Sequence, residues 1–182
     1  MLKWIIHSGL RKFSKRYDYD NQYMHRLVDT STSVGVGIAC LPLLSQFRRP
    51  KEAVDIWAGA MLASTLDGGC SQCADLIVKQ AVEAGVSEAK LAACRQGSAK
   101  QAGEVGLGFR FAVAVIQDDA ARDELRREID LRFGNSAVVS ATLAAATGRM
   151  FPVMKRGLGR AAISPVYLYD PEALPTDKNA RP

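Results

Sequence analysis

The sequence predicts a single all-α domain, and three observations carry that expectation. At 182 residues the chain can bury one full core but is short for two. Alanine is abundant while aromatics make up only 7% of residues, a balance that suits closely packed helices. Apolar residues also recur at helical spacing, in stretches separated by Gly, Pro and Asn-Ser breakers.

Taken in order, residues 1–27 read as a basic amphipathic lead-in, partly helical, with a tyrosine-rich patch at Tyr17, Tyr19 and Tyr23. Asp29 to Thr32 is a run of capping residues, and a helix starts near it. The apolar stretch 34–47 ends at Arg48-Arg49-Pro50, and Pro50 suits the first turn of the next helix. That helix runs to about Leu66, with Ala53, Ile56, Ala60 and Ala63 at helical spacing. Asp67-Gly68-Gly69 breaks it. The following helix carries Cys70 to about residue 84, with Gly85 as its C-terminal cap. Ser87 then caps a short helix to about Arg95. Residues 97–108 are glycine-rich and read as a loop. Residues 109–116 are short and apolar, but Ala112, Ala114 and the helical neighbours favour helix.

Residues 120–133 form a charged amphipathic helix with Leu125, Ile129 and Leu131 or Phe133 inward. Asn135-Ser136 caps a small-residue helix over 137–149, packed on more than one side. From Asp170 the composition turns to Pro, Asp, Lys and Asn, which predicts a disordered tail. The division expected is an N-terminal helical extension with a basic arm over 1–44, a helical domain over 45–160, and a C-terminal tail over 161–182.

The net charge of +5 is uneven: Lys3, Arg11, Lys12, Lys15 and Arg16 all precede the first acid, Asp18. Such an arm can touch anionic membrane or nucleic acid. A solvated helix face that contributes little to the core is the preferred reading, and no recognition motif supports nucleic acid. Trp4-Ile5-Ile6 is too short for a signal-peptide core. The longest apolar run, 34–44, falls short of the ~20 residues that span a bilayer. The expectation is a cytoplasmic protein.

The chemistry sits in Cys70-Ser71-Gln72-Cys73. At a helix start these two cysteines share a face, and the free N–H groups and dipole there stabilise a thiolate. The pair reads as a redox dithiol or as two small hydrophobes in a tight helix contact, and the pattern alone leaves both open. A metal site is disfavoured, because Cys40, Cys94, His7 and His25 supply no second close pair. A c-type haem would need His where Ala74 stands. No metal or cofactor is expected.

The stretch CSQCADLIVKQAVEAGVSEAKLAAC (70–94) resembles the signature of the carboxymuconolactone decarboxylase and alkylhydroperoxidase D-like superfamily. Its AGVS ending matches at Ala84-Gly85-Val86-Ser87, and FRFAVAVIQDD and FGNSAVVSATLAAATGR fall where that family places helices. The resemblance covers roughly residues 45–160. It implies an all-α fold, a homo-oligomer (a trimer or a multiple of one), and a dithiol that reduces a hydroperoxide and is re-reduced by a thiol reductant or redox partner protein. Cys73 would attack the peroxide and Cys70 would close the disulfide. The decarboxylase branch lacks the cysteine pair and matches poorly.

The family's proton relay is missing: Ile77 holds the histidine position and Ala58 the glutamate position. Asp67 and Asp55 are the candidate substitutes, each with a plainer role as N-cap or surface acid. The expectation is therefore a thiol-dependent oxidoreductase with a degenerate relay. The alternative is a non-catalytic oligomeric scaffold or binding protein that keeps the fold.

Overall fold

Ten consecutive residues, Ile56 to Thr65, are buried in one helix, so that helix must be surrounded rather than laid on a surface. In the computed structural model, which describes residues 1–159, this central helix is α5 (Val54–Asp67). Around it lie α6 (Ser71–Glu83), α7 (Glu88–Arg95), α8 (Gly103–Gln117), α9 (Ala121–Phe133) and α10 (Asn135–Thr147). Before it come α1 (Leu2–Tyr17), α2 (Gln22–Thr30), α3 (Thr32–Cys40) and the short α4 (Pro42–Ser45); after it comes α11 (Met150–Gly157). Short 3-10 turns occupy Lys51–Ala53 and Ala99–Gln101. Among the described residues there is no strand, so the all-α expectation holds. The tail expected beyond Asp170 lies outside the described residues.

Most of α5 packs against α8 and α10. Glycine makes the first contact possible. A Cβ on Gly59 would lie 1.9 Å from the Val105 carbonyl oxygen, and one on Gly108 would lie 2.0 Å from that of Ile56. Both helices carry a glycine at the crossing, so their backbones meet. The second contact is tied by the Ser64 hydroxyl, which donates to Ala145 O at 2.6 Å and satisfies a buried carbonyl. The Thr65 hydroxyl, bonded to Met61 O in its own helix at 2.8 Å, lies 3.3 Å from Gly148 O. Trp57, fully buried, donates its indole N–H to Ser45 O at 2.8 Å.

Two expectations need correction. The glycine-rich stretch 97–108 is not a loop throughout. Gly97 and Gly103 do turn the chain with positive φ, but Gly106 and Gly108 lie inside α8. A Cβ at Gly106 would sit 1.7 Å from Ala99 O. These two glycines serve close approach, which a composition count cannot tell from turn formation.

The basic arm is not a detached solvated face. Ile6 is buried, and Leu10, Phe13 and Tyr17 pack into a second apolar cluster with Tyr19, Tyr23, Met24 and Cys73. Arg16 pairs with Glu83 at 3.1 Å, and Tyr17 donates to Glu83 at 2.7 Å. The other face of α1 leaves Trp4, Ile5, Arg11, Lys12 and Lys15 exposed.

One stretch, Asn135–Gly157, is long and apolar enough to cross a membrane. Here it is α10 running into α11, with Ala137, Val138, Ala141, Ala144 and Ala145 buried in the core.

Candidate functional site

The site begins where the chain leaves α5. Gly69 takes φ +72°, a conformation that favours glycine, and turns the backbone so that Cys70 enters as an extended residue at the N-cap of α6. Asp67 was the expected cap. The cap is instead the sulfur of Cys70, which accepts the backbone N–H of Cys73 at 3.2 Å. The two cysteines form a disulfide with Cα atoms 5.2 Å apart. Cys70 is half-buried and Cys73 buried. An attacking molecule from solvent therefore meets Cys70 first.

Cys73 faces groups that are remote in sequence. The hydroxyl of Tyr19 lies 3.4 Å from its sulfur and 3.3 Å from the hydroxyl of Tyr23. A disulfide sulfur carries no hydrogen, so Tyr19 donates to it and Tyr23 donates to Tyr19. Burial raises both phenols above their ordinary range, which keeps them protonated donors. Lys155 of α11 is buried, with its ammonium over the Tyr19 ring at 4.9 Å from the centroid and 5.8 Å from that of Tyr23. It donates to the side-chain oxygen of Gln72, the residue before Cys73. Burial lowers the Lys155 pKa from its usual 10.5, and Asp20 opposes that shift.

Beside Cys73 and Tyr19 lies a cavity of about 90 Å³, walled by Phe13, Met24, Leu76, Ile77 and Phe151 among others. Its lining is almost wholly apolar. Ile77, which holds the histidine position of the resemblance, forms part of this wall. Ala58 is fully buried in the main core.

The structure thus brings Cys70 and Cys73 together and holds the two candidate carboxylates elsewhere. Asp67 is bonded to Arg149. Asp55 pairs with Lys90 at 3.0 Å. Tyr19, Tyr23, Gln72 and Lys155 were missed as site residues. The tyrosine patch was visible in the sequence, but no local pattern says that the turn after α1 meets the start of α6.

The remaining metal-ligating types do not gather at Cys70 and Cys73. His7 and His25 touch at 2.6 Å on α1 and α2, Cys40 is exposed, and Cys94 is buried. Burial pushes the Cys94 thiol up to about 12, with Arg110 opposing, which favours the protonated thiol over the thiolate at neutral pH. Among the described residues no cluster of three or more metal-ligating side chains occurs.

The arrangement can perform thiol–disulfide chemistry: a half-buried capping sulfur, a buried partner with a phenolic donor, and an apolar recess beside the partner. A comparison with protein-family models, curated proteins and solved structures finds no match for the chain.

Proposed function

We propose that the chain is a thiol-dependent oxidoreductase of the alkylhydroperoxidase D-like type, reducing a peroxide or a disulfide through Cys70 and Cys73. The observation that carries this reading is the Cys70–Cys73 disulfide at the head of α6, with Cys73 against an apolar cavity. In the reduced protein the Cys73 thiolate attacks one peroxide oxygen. The O–O bond breaks, an S–O bond forms, and the leaving alkoxide takes a proton to become an alcohol. The Cys70 thiolate then attacks the Cys73 sulfur, hydroxide leaves and is protonated to water, and the disulfide closes. Two equivalents of an external thiol, or one dithiol partner, return the two electrons. Such a cycle belongs in a reducing, cytoplasmic compartment.

The reading includes self-association. Val139, Ala146, Met150 and Val153 are exposed along α10 and α11 at helical spacing, and Leu43 and Leu44 of α4 are exposed as well. An uncovered apolar stripe of this kind suits a second copy. The resemblance implies a trimer or a multiple of one, and a homo-oligomer of that kind is part of the reading.

The second reading, a non-catalytic scaffold, is favoured by Ile77 in the cavity wall and by buried Ala58, which leave the resemblance's base and acid unfilled. The two separate in one experiment. Peroxide loss is followed with an alkyl hydroperoxide and dithiothreitol, and the 70–73 bridge is followed by mass spectrometry after the same hydroperoxide is added to fully reduced protein freed of dithiothreitol. The oxidoreductase reading expects catalytic peroxide or disulfide turnover that Cys70→Ser and Cys73→Ser abolish. Thiols that stay free under oxidant, or turnover in both variants equal to that of wild type, would establish the scaffold instead.

A further inference from the structure

We infer that Tyr19 is a catalytic hydrogen-bond donor to Cys73, stabilising the negative charge on that sulfur when the disulfide opens and when the thiolate attacks, with Lys155 as the residue that positions it. The inference rests on the dithiol reading above and adds a residue that the resemblance does not supply.

A buried sulfur needs such a donor. Cys73 is only 3% exposed, and desolvation opposes its thiolate. Ile77 offers no hydrogen bond from the cavity wall. The Tyr19 hydroxyl supplies a polar hydrogen at the sulfur, with its oxygen 3.4 Å away. In the disulfide its direction is fixed because the sulfur carries no hydrogen, and Tyr23 then donates to the same Tyr19 oxygen at 3.3 Å.

In reductive opening, a thiolate attacks the more accessible Cys70 sulfur. A new S–S bond forms there, the Cys70–Cys73 bond breaks, and its electron pair leaves on Cys73. The Tyr19 O–H then points at the new charge. No proton changes hands, which agrees with a phenol raised by burial. A second thiol of the reductant releases Cys70 and carries away the reductant's disulfide.

Lys155 enters through the ring. Its ammonium over the π face draws electron density and strengthens the phenol as a donor, and its bond to Gln72 ties α11 to the turn that carries Cys73. No carboxylate lies within ion-pair distance of it among the described residues, although Asp20 acts on it at longer range. The titratable groups facing Tyr19 are then Tyr23 of α2, Lys155 of α11, Cys73 of α6 and neighbouring Asp20. Tyr17 of α1 shares the cluster but gives its hydroxyl to Glu83.

The test compares wild type with Tyr19→Phe, which keeps the ring, and Lys155→Met. The pH dependence of Cys73 alkylation by iodoacetamide is followed by peptide mass spectrometry in a Cys70→Ser background. The rate of disulfide opening by dithiothreitol is measured in the otherwise wild-type chain. Tyr19→Phe should raise the apparent Cys73 pKa by about one unit and slow opening about tenfold at pH 7, and Lys155→Met should shift both in the same direction by less. A lower melting temperature with an unmoved pH profile would overturn the inference. If Tyr19→Phe does not fold, uniform 3-fluorotyrosine makes the phenols more acidic with little change in packing. It should move the Cys73 profile to lower pH, and an unmoved profile overturns the inference. Absence of peroxide or disulfide turnover in wild type would remove the dithiol reading while leaving the Cys73 profile to decide the role of Tyr19.

Discussion

The sulfur of Cys70 accepts the backbone N–H of Cys73 at 3.2 Å, so one redox candidate caps the helix that carries the other. An N-cap acceptor satisfies one of the helix's orphan N–H groups and favours negative charge at that end. Opening and closing the disulfide therefore acts on the first turn of α6.

This capping role can be separated from the disulfide. With reductant present throughout, Cys70→Ser keeps an oxygen acceptor at the N-cap, while Cys70→Ala leaves none. The alanine variant should be less stable than the serine variant by about 1 kcal/mol. Equal denaturation midpoints for the two reduced variants would show that the sulfur does not act as a cap.

At the α5–α8 crossing, size alone decides. Gly59→Ala would place a methyl 1.9 Å from Val105 O, and Gly108→Ala one 2.0 Å from Ile56 O. Backbone cannot yield as a side chain does, so each change should cost roughly 3 kcal/mol or more. Gly9→Ala is the control: it lies inside α1, and nothing lies within 4 Å of the added Cβ. That change should stabilise by about 0.5–1 kcal/mol through helix propensity. Urea titrations of the three variants should fall on opposite sides of wild type.

Phe13 tests whether the basic arm is structural. Its ring sits 5.0 Å from that of Tyr17 and 6.1 Å from that of Tyr19, centroid to centroid, and it walls the cavity beside Cys73. Phe13→Ala should cost about 2 kcal/mol, less than a fully buried ring. It should also speed opening of the disulfide by dithiothreitol, because water admitted to the recess solvates the thiolate left on Cys73. Thermal melting and reduction kinetics unchanged from wild type would restore the reading of a detached arm.

A pH effect is expected from the contact between α1 and α2. Asp29 Oδ1 can only accept, so His7 donates Nε2–H to it at 2.9 Å, and His25 then donates Nδ1–H to His7 at 2.6 Å. Burial, with help from His7 and Arg11, lowers the His25 pKa below its ordinary 6.5, and Asp29 opposes this. The unfolded chain thus binds the proton more readily. Stability should fall as pH drops below about 6.5, and the decline should level off beneath the folded-state pKa. Glu83 and Glu104 are also lowered, Glu83 first by its bond from Tyr17 and Glu104 first by a backbone hydrogen bond at the α8 start. Their losses come at lower pH, below about 4.5. Guanidinium midpoints between pH 7.5 and 5 should therefore slope less for His25→Gln than for wild type. Parallel slopes would show that His25 does not titrate in this window.

The helical class, the break at Gly68-Gly69 and the placement of Cys70 and Cys73 at a helix start were all legible in the chain itself. Each depends on interactions within a few residues: caps, glycine turns and apolar spacing act locally. Composition could not separate the glycines that turn the chain, Gly97 and Gly103, from Gly106 and Gly108, which sit against another backbone. That difference exists only once α8 has neighbours. The fate of the two candidate carboxylates was likewise beyond local reading, because Asp67 meets Arg149 and Asp55 meets Lys90 only after the helices assemble. The surroundings of Cys73 were decided at the longest range. Tyr19 reaches it from 54 residues away, and Lys155 meets Gln72 across 83. Contacts of that separation leave no periodic trace in the sequence, since they are fixed by how α1, α2, α6 and α11 bury their apolar faces together.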